Sequence, residues 1–225
     1  MTFMTSNLAI GTRNLLRKTR FSSAAMRLLR SRNYEALLTD AMMRAVSPGN
    51  CVWDVGANVG FYARQFAHAV GASGHVYAFE PSKKTREMME LGGLDNITVM
   101  PFALSKSRGS RWLDRGELND GATARLTDCG SEQVRVETGD YLTASGTARL
   151  PNLIKIDVEG HELDVLLGMR DTLVAPNLHH IFIEVHFFIF AQTRSNEVPK
   201  EIETLLRNTG FCISWVDQSH LHASR

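Results

Sequence analysis

The chain has 225 residues, 44% of them hydrophobic, with 25 Lys plus Arg against 24 Asp plus Glu. That length suffices for one α/β domain with a buried core, and a net charge of +1 gives no global pull toward nucleic acid or an acidic partner. Cys51, Cys129 and Cys212 are far apart and lack C-x-x-C spacing, and no run reaches the roughly 18 apolar residues of a membrane span, so a soluble, cytoplasmic protein without a disulfide framework is expected.

Residues 1–34 carry Arg13, Arg17, Lys18, Arg20, Arg27, Arg30 and Arg32, with no acid before Glu35. Leu15, Leu16, Met26, Leu28 and Leu29 lie among them. This pattern predicts a basic helical extension over residues 1–46 that covers one end of a sheet; peripheral contact with an anionic membrane surface is the alternative. The Arg-interrupted apolar stretch does not suit a secretory signal, while an Arg-rich, acid-poor start is compatible with a transit peptide.

After the turn signal "SPGN", residues 47–225 alternate strand and helix patterns. "CVWDVG" predicts a strand, "GFYARQFAHAV" a helix, "HVYAFE" a strand, "SKKTREMMEL" a helix capped by Ser82, and "ITVMPFALS" a strand. The stretch 106–149 is less regular, with short strands at "SRWLDR" and "EQVRVET" and an acid, Asp140, placed to cap a short helix. Then follow "LIKID" as strand, "HELDVLLGMRDTLV" as helix, "HHIFIEVHFF" as strand, "VPKEIETLLRNTG" as helix and "FCISWVD" as the last strand. Such repetition predicts a single doubly wound, mostly parallel, Rossmann-like sheet with helices on both faces.

Ligands of such sheets bind beyond the carboxyl ends of the strands. The first strand ends in "DVGANVG", where Gly56 and Gly60 allow a tight turn and close backbone approach, and Asn58 adds a polar contact. G-x-x-x-G preceded by Asp54 is not the dinucleotide fingerprint, and an acid there would repel a phosphate. Glu80, 26 positions after Asp54, ends the next strand, where a carboxylate can accept two hydrogen bonds from vicinal ribose hydroxyls. A ribose without phosphate, near acids that suit a positive charge, describes S-adenosylmethionine.

"VWDVGANVGFYARQFA", "VYAFEPSKKTREMMEL", "ITVMPFALS", "GDYL", "LIKIDVEGHELDVLLGM" and "IFIEVH", in this order over residues 51–186, resemble the FkbM family of S-adenosylmethionine-dependent methyltransferases. "KIDVEGHE" is the most specific of these motifs. The resemblance implies a class I methyltransferase fold and methylation of a hydroxyl oxygen on a small-molecule, sugar or glycolipid acceptor. Carried over by position, Asp54, Gly56, Asn58 and Gly60 would line the amino acid part of the donor and Glu80 its ribose. Pro81 and Ser82 would lie beside the adenosine, Ala103 or Leu104 beside adenine, and Asp157 at the same pocket, while Phe102 competes as core filler.

For the proton of the attacking hydroxyl, the candidates are Asp157 and Glu159 at one strand end and Glu184 and His186 at the next. His186 is the first choice of base because its ordinary pKa is near 6.5, and Asp157 is the second. Gly160 is expected to end the extended part, leaving Glu162 and Asp164 as ordinary helix-start acids and His161 open between crevice and helix. A divalent cation held by Asp157, Glu159, Glu184 and His186 is an alternative; no metal is predicted. Trp112, Asn119, Asp120 and Arg125 are placed to meet the acceptor. Two other readings remain: a methyltransferase-like module docking to a partner or membrane, and a methyltransferase acting on RNA or protein. No amide-recognition loop, Pro-Cys pair or broad basic surface supports the latter, and no nucleic-acid partner is expected.

Overall fold

The computed structural model describes residues 33–114, 124–193 and 195–225. The expected basic segment up to residue 32, with Asn119 and Asp120, lies outside the described residues. The main sheet comprises β1 (Cys51–Val55), β2 (His75–Phe79), β3 (Ile97–Met100), β8 (Leu153–Ile156), β9 (His180–Glu184), β10 (Cys212–Trp215) and β11 (His220–Ser224). Its order is β10-β11-β9-β8-β1-β2-β3, and β11 runs antiparallel to both neighbours while the other pairs are parallel. All five residues of β1 and all four of β8 are buried, as strands covered on both faces must be.

Two apolar layers flank the sheet. On one face, α1 (Asn33–Ala45) places Leu38 and Met42, and α2 (Phe61–Val70) places Ala63, Phe66, Ala67 and Val70, against Val52, Leu153 and Phe182. The spacing of the four α2 residues is that of one helix face. On the other lie α4 (Gly139–Ala144), α5 (Glu162–Leu167), α6 (Arg170–Leu173), α7 (Phe187–Gln192) and α8 (Val198–Asn208), packed on Trp53, Val55, Ile154 and Ile156. The short helix α3 (Lys83–Glu87) follows β2; its first turn is capped by Ser82, whose hydroxyl accepts from the Thr85 amide.

The structure departs from expectation in five places. "ITVMPFALS" is two strands, because the chain leaves the main sheet after β3 and pairs β4 (Ala103–Leu104) with β7 (Glu132–Glu137). These join β5 (Gly109–Asp114) and β6 (Arg125–Thr127) in a second, four-stranded sheet of order β4-β7-β5-β6. The last strand is β11, not "FCISWVD": the alternation of "HLHAS" buries Leu221 and Ala223 beside β9. "HELDVLLGMRDTLV" breaks into α5 and α6, and "HHIFIEVHFF" gives way to helix from Phe187. Asp140 does cap a helix, but a distant one: the N-cap of α4 is Thr138, whereas the Asp140 carboxylate accepts from the amides of Asp171 and Thr172 at the start of α6.

Candidate active site

The sheet order puts the carboxyl end of β1 between those of β2 and β8, so Glu80 and Asp157 flank the loop after Val55. A cavity at this edge is lined by Gly56, Asn58, Glu80, Pro81, Asp157 and Glu159, with Ala103, Leu104, Leu113 and Leu126 as apolar wall. The loop packs tightly: at Gly56, whose φ is 80°, a Cβ would stand 1.9 Å from the Asp157 carbonyl oxygen. Glu80 is fixed by two amides, Ser82 N at 2.8 Å on Oε1 and Asn58 N at 3.1 Å on Oε2. Burial raises its pKa above the usual carboxylate value despite those bonds and the nearby Arg86.

Of the other residues expected at the donor, Gly60 is the N-cap of α2 at φ 84°, and Ser82 is buried as the cap of α3. Asp54 is fully buried and is absent from the cavity wall. Its Oδ1 accepts from Lys155 Nζ at 3.0 Å, so the carboxylate faces a fixed cation rather than presenting a bare charge to a ligand. The same ammonium donates to the Gly56 carbonyl at 3.2 Å, lies 3.9 Å from Asp157 Oδ2, and stands over the Tyr62 ring at 5.2 Å. Burial opposes charge on Lys155, but Asp54 and Asp157 outweigh it and raise its pKa. Lys155 belongs to no motif, yet a lysine inside the apolar run "LIKI" has to find a buried partner.

At the other side of the loop Asp157, Glu159 and His186 converge, one polar atom of each lying within 4.8 Å of the others. Strand alternation does not bring the two acids together as expected. β8 ends at Ile156, and Glu159 takes φ 51°, a conformation uncommon outside glycine, which folds its carboxylate back to 3.3 Å from His186 Nε2. Asp157 Oδ1 lies 3.7 Å from the same nitrogen. Burial raises the Asp157 pKa to about 6; Glu184 and Glu159 add to the rise, and Lys155 and His186 oppose it. Burial by itself would lower the His186 pKa, but its bonds to Glu159 and Glu162 hold it well above 6.5. Both ring nitrogens thus face carboxylates, which favour the charged form of the imidazole.

Glu162, assigned from sequence to the helix start, is fully buried and bonds His186 Nδ1 at 2.5 Å. His161 lines the cavity and shares a 2.8 Å hydrogen bond with Ser105 Oγ; burial lowers its pKa despite Asp164 and Glu162. Phe102 is core, 6.0 Å from the Phe79 ring. Trp112 and Arg125 lie on the face of the β5–β6 pair opposite to Leu113 and Leu126, which line the cavity.

Glu184 stays apart from the three converging groups, 3.4 Å from His220 Nε2, while Asp217 lies 2.6 Å from His220 Nδ1. Burial opposes charge on His220, but the two carboxylates raise its pKa to about 9. Because the folded value exceeds the unfolded one near 6.5, this contribution to stability is complete below about pH 6.5 and lost as pH rises through 9. In urea unfolding, the deficit of His220→Gln relative to wild type should be roughly 1–3 kcal/mol at pH 6 and close to zero at pH 10. A deficit independent of pH would contradict the charged pairing.

A Rossmann-like sheet with one antiparallel strand, a tight loop after β1 and acids after β2 and β8 is the frame of a class I methyltransferase. The chain belongs to the FkbM methyltransferase family, whose domain model matches residues 54–213. It is 32% identical over 168 residues to the hexuronic acid methyltransferase AglP of Haloferax volcanii, covering 73% of this chain but only 64% of that relative. The 31-O-demethyl-FK506 methyltransferase FkbM of Streptomyces tacrolimicus is 28% identical over 202 residues, 74% of each chain. In fold, the chain is similar to a methyltransferase FkbM from Methylobacillus flagellatus, at a TM-score of 0.53 and 14% identity, over 78% of this chain and 43% of that one. Among the described residues no helix is long and apolar enough to cross a membrane.

Proposed function

We propose that this chain moves the methyl group of S-adenosylmethionine to a hydroxyl oxygen of a sugar or other small-molecule acceptor. The observation that carries the reading is that Glu80, the Gly56 loop and the pair Asp157 and Glu159 line one cavity. Its residues fit the donor. Apolar wall at Ala103, Leu104 and Leu113 suits the faces of a flat base, and Glu80, already oriented by two amides, has lone pairs left for a ribose diol. The acids beyond suit a cationic ligand. When bound, the donor supplies a methyl group activated by a sulfonium, which leaves the chain to orient the acceptor, exclude water and take a proton.

Asp157 is the group that takes it. It lines the cavity, its side chain is 33% exposed, and a pKa of about 6 leaves it mostly ionised yet basic enough at neutral pH. Glu159 and His186 hold the acceptor side of the cluster, and Glu184 acts on Asp157 from the next strand end. An RNA acceptor is disfavoured, because it would bring phosphates against Asp157 and Glu159. The relatives act, by name, on a hexuronic acid and on a demethylated FK506. A carbohydrate or polyketide hydroxyl is therefore the first acceptor class to try.

Isothermal calorimetry with S-adenosylmethionine and its demethylated product tests the donor site. Binding is expected for both, and Glu80→Gln should weaken it about 10- to 100-fold by removing a charge-assisted acceptor. Binding unchanged in that variant would remove Glu80 from the site.

A further inference from the structure

His161 is a side chain that neither the helix nor the reaction has used so far. It stands at the N-cap of α5, yet its side chain makes no cap bond there. The ring turns to β4 instead: its Nε2 lies 2.8 Å from Ser105 Oγ, across 56 residues of sequence, and 3.6 Å from Asp164 Oδ2. Ser105 is itself fixed. It is 3% exposed, its amide donates to the Glu137 carbonyl at 2.9 Å, and its own carbonyl oxygen packs so closely on the end of α5 that a Cβ on Gly168 would stand 2.0 Å away. An imidazole held at Nε2 by such an anchor has one nitrogen left, and its Nδ1 has no hydrogen bond among the described residues.

The place of the ring decides what that nitrogen can meet. His161 lines the cavity, and Ser105 directly follows Ala103 and Leu104, part of the apolar wall that suits a flat base. The ring is tied to that wall, whereas Asp157 and Glu159 are tied to Lys155 and His186. We propose that Ser105 holds His161 so that Nδ1 hydrogen-bonds the edge of the donor's adenine, which makes His161 the residue that selects the base. The inference rests on the S-adenosylmethionine reading and deepens it. When apolar side chains cover its faces, adenine still presents ring nitrogens that accept and a 6-amino group that donates. Either neutral tautomer of His161 finds a partner there. If the Ser105 hydroxyl donates to Nε2, Nδ1–H donates to a ring nitrogen; if Nε2–H donates to Ser105, Nδ1 accepts from the amino group. Apolar contact alone discriminates weakly between flat bases, whereas a polar group left unpaired by the wrong base rejects it.

Isothermal calorimetry on the full chain tests this with three ligands: S-adenosylhomocysteine, which is the demethylated product, its 7-deaza analogue, which lacks N7, and its inosine analogue, in which an oxo group replaces the 6-amino group and N1 carries a proton. Wild type should bind the adenine compound at least about fivefold more tightly than one or both analogues, because the wrong edge leaves Nδ1 unpaired. In His161→Ala that preference should fall to within about twofold, because the bond is then absent with every ligand. His161→Asn, which keeps a polar atom near the place of Nδ1, should retain part of the preference, and Ser105→Ala, which frees the ring, should lose part of it. A merely structural role would weaken all three ligands alike and leave the preference intact. No preference in wild type, or a preference undiminished in His161→Ala, would overturn the proposal. If His161→Ala fails to fold by circular dichroism, Ser105→Ala decides, a reduced preference supporting the proposal and an unchanged one overturning it. Wild type that binds neither S-adenosylmethionine nor its demethylated product would sink the donor reading and this inference together, whereas binding without preference sinks the inference alone.

Discussion

Asp157→Asn should lower the rate of methyl transfer by about 10² to 10⁴-fold, the usual contribution of a positioned base, while donor affinity changes little. The substitution keeps the shape of the side chain and its place beside the Gly56 loop but removes the group that can accept a proton. Three features single out Asp157 among four ionisable neighbours. Its backbone is pinned to β1 by the bond from its amide to the Val55 carbonyl at 3.0 Å, and its side chain lines the cavity. Burial and the neighbouring acids raise its pKa to about 6, whereas both nitrogens of His186 are already engaged with carboxylates. Glu184 is engaged with His220. Transfer of labelled methyl to an acceptor found in extract fractions gives the rate, and a loss under about threefold would return the base to another group.

Gly56→Ala should be the most damaging single methyl in the fold. Its φ of 80° costs an alanine about 1–2 kcal/mol, and the new Cβ would stand 1.9 Å from the carbonyl oxygen and 2.9 Å from the carbonyl carbon of Asp157. Neither backbone can yield without parting β1 from β8, which are both fully buried. A loss of at least about 3 kcal/mol in urea unfolding is expected, together with loss of donor binding. Gly146→Ala is the control: φ is 72°, but nothing lies within 4 Å of its Cβ, so only the backbone term of about 1–2 kcal/mol should appear. Equal losses in the two variants would show that the contact with Asp157 does not matter.

Those two residues illustrate what could be read from the chain. The tight loop at Gly56 and the acid at Glu80 were legible because they sit at the ends of apolar runs, and strand ends of a parallel sheet are where ligands gather. The small second sheet was half legible: β7 alternates Val134 and Val136 with polar residues, while β5 buries only Leu113, β6 is only three residues long and β4 only two. The break between α5 and α6 was not, because the cap that starts α6 is Asp140, 31 residues away in sequence from the amide it binds.

At the site, local pattern located the ionisable groups but not their charge states. "VEGHE" contains Glu159, His161 and Glu162 within four positions, and periodicity assigns the first to an extended segment and the last to a solvent-facing helix turn. The positive φ of Glu159 overturns the extended assignment, and Glu162 does open the helix but is buried rather than solvent-facing. Each follows from contact with His186, which belongs to the next strand end. Likewise Asp54 looked like an open acid until Lys155, on the neighbouring strand, took its Oδ1. The pKa of a group depends on which strand end lies beside its own, and one-dimensional spacing does not carry that information.

The central claim, methyl transfer to a hydroxyl oxygen, is tested most directly by incubating the chain with methyl-labelled S-adenosylmethionine and fractionated sugars and small molecules, then locating the label in the product. Label in a methyl ether, abolished with Asp157→Asn, is the result expected. Label on nitrogen, carbon or a carboxylate ester, or donor binding with no transfer to any fraction, would contradict it.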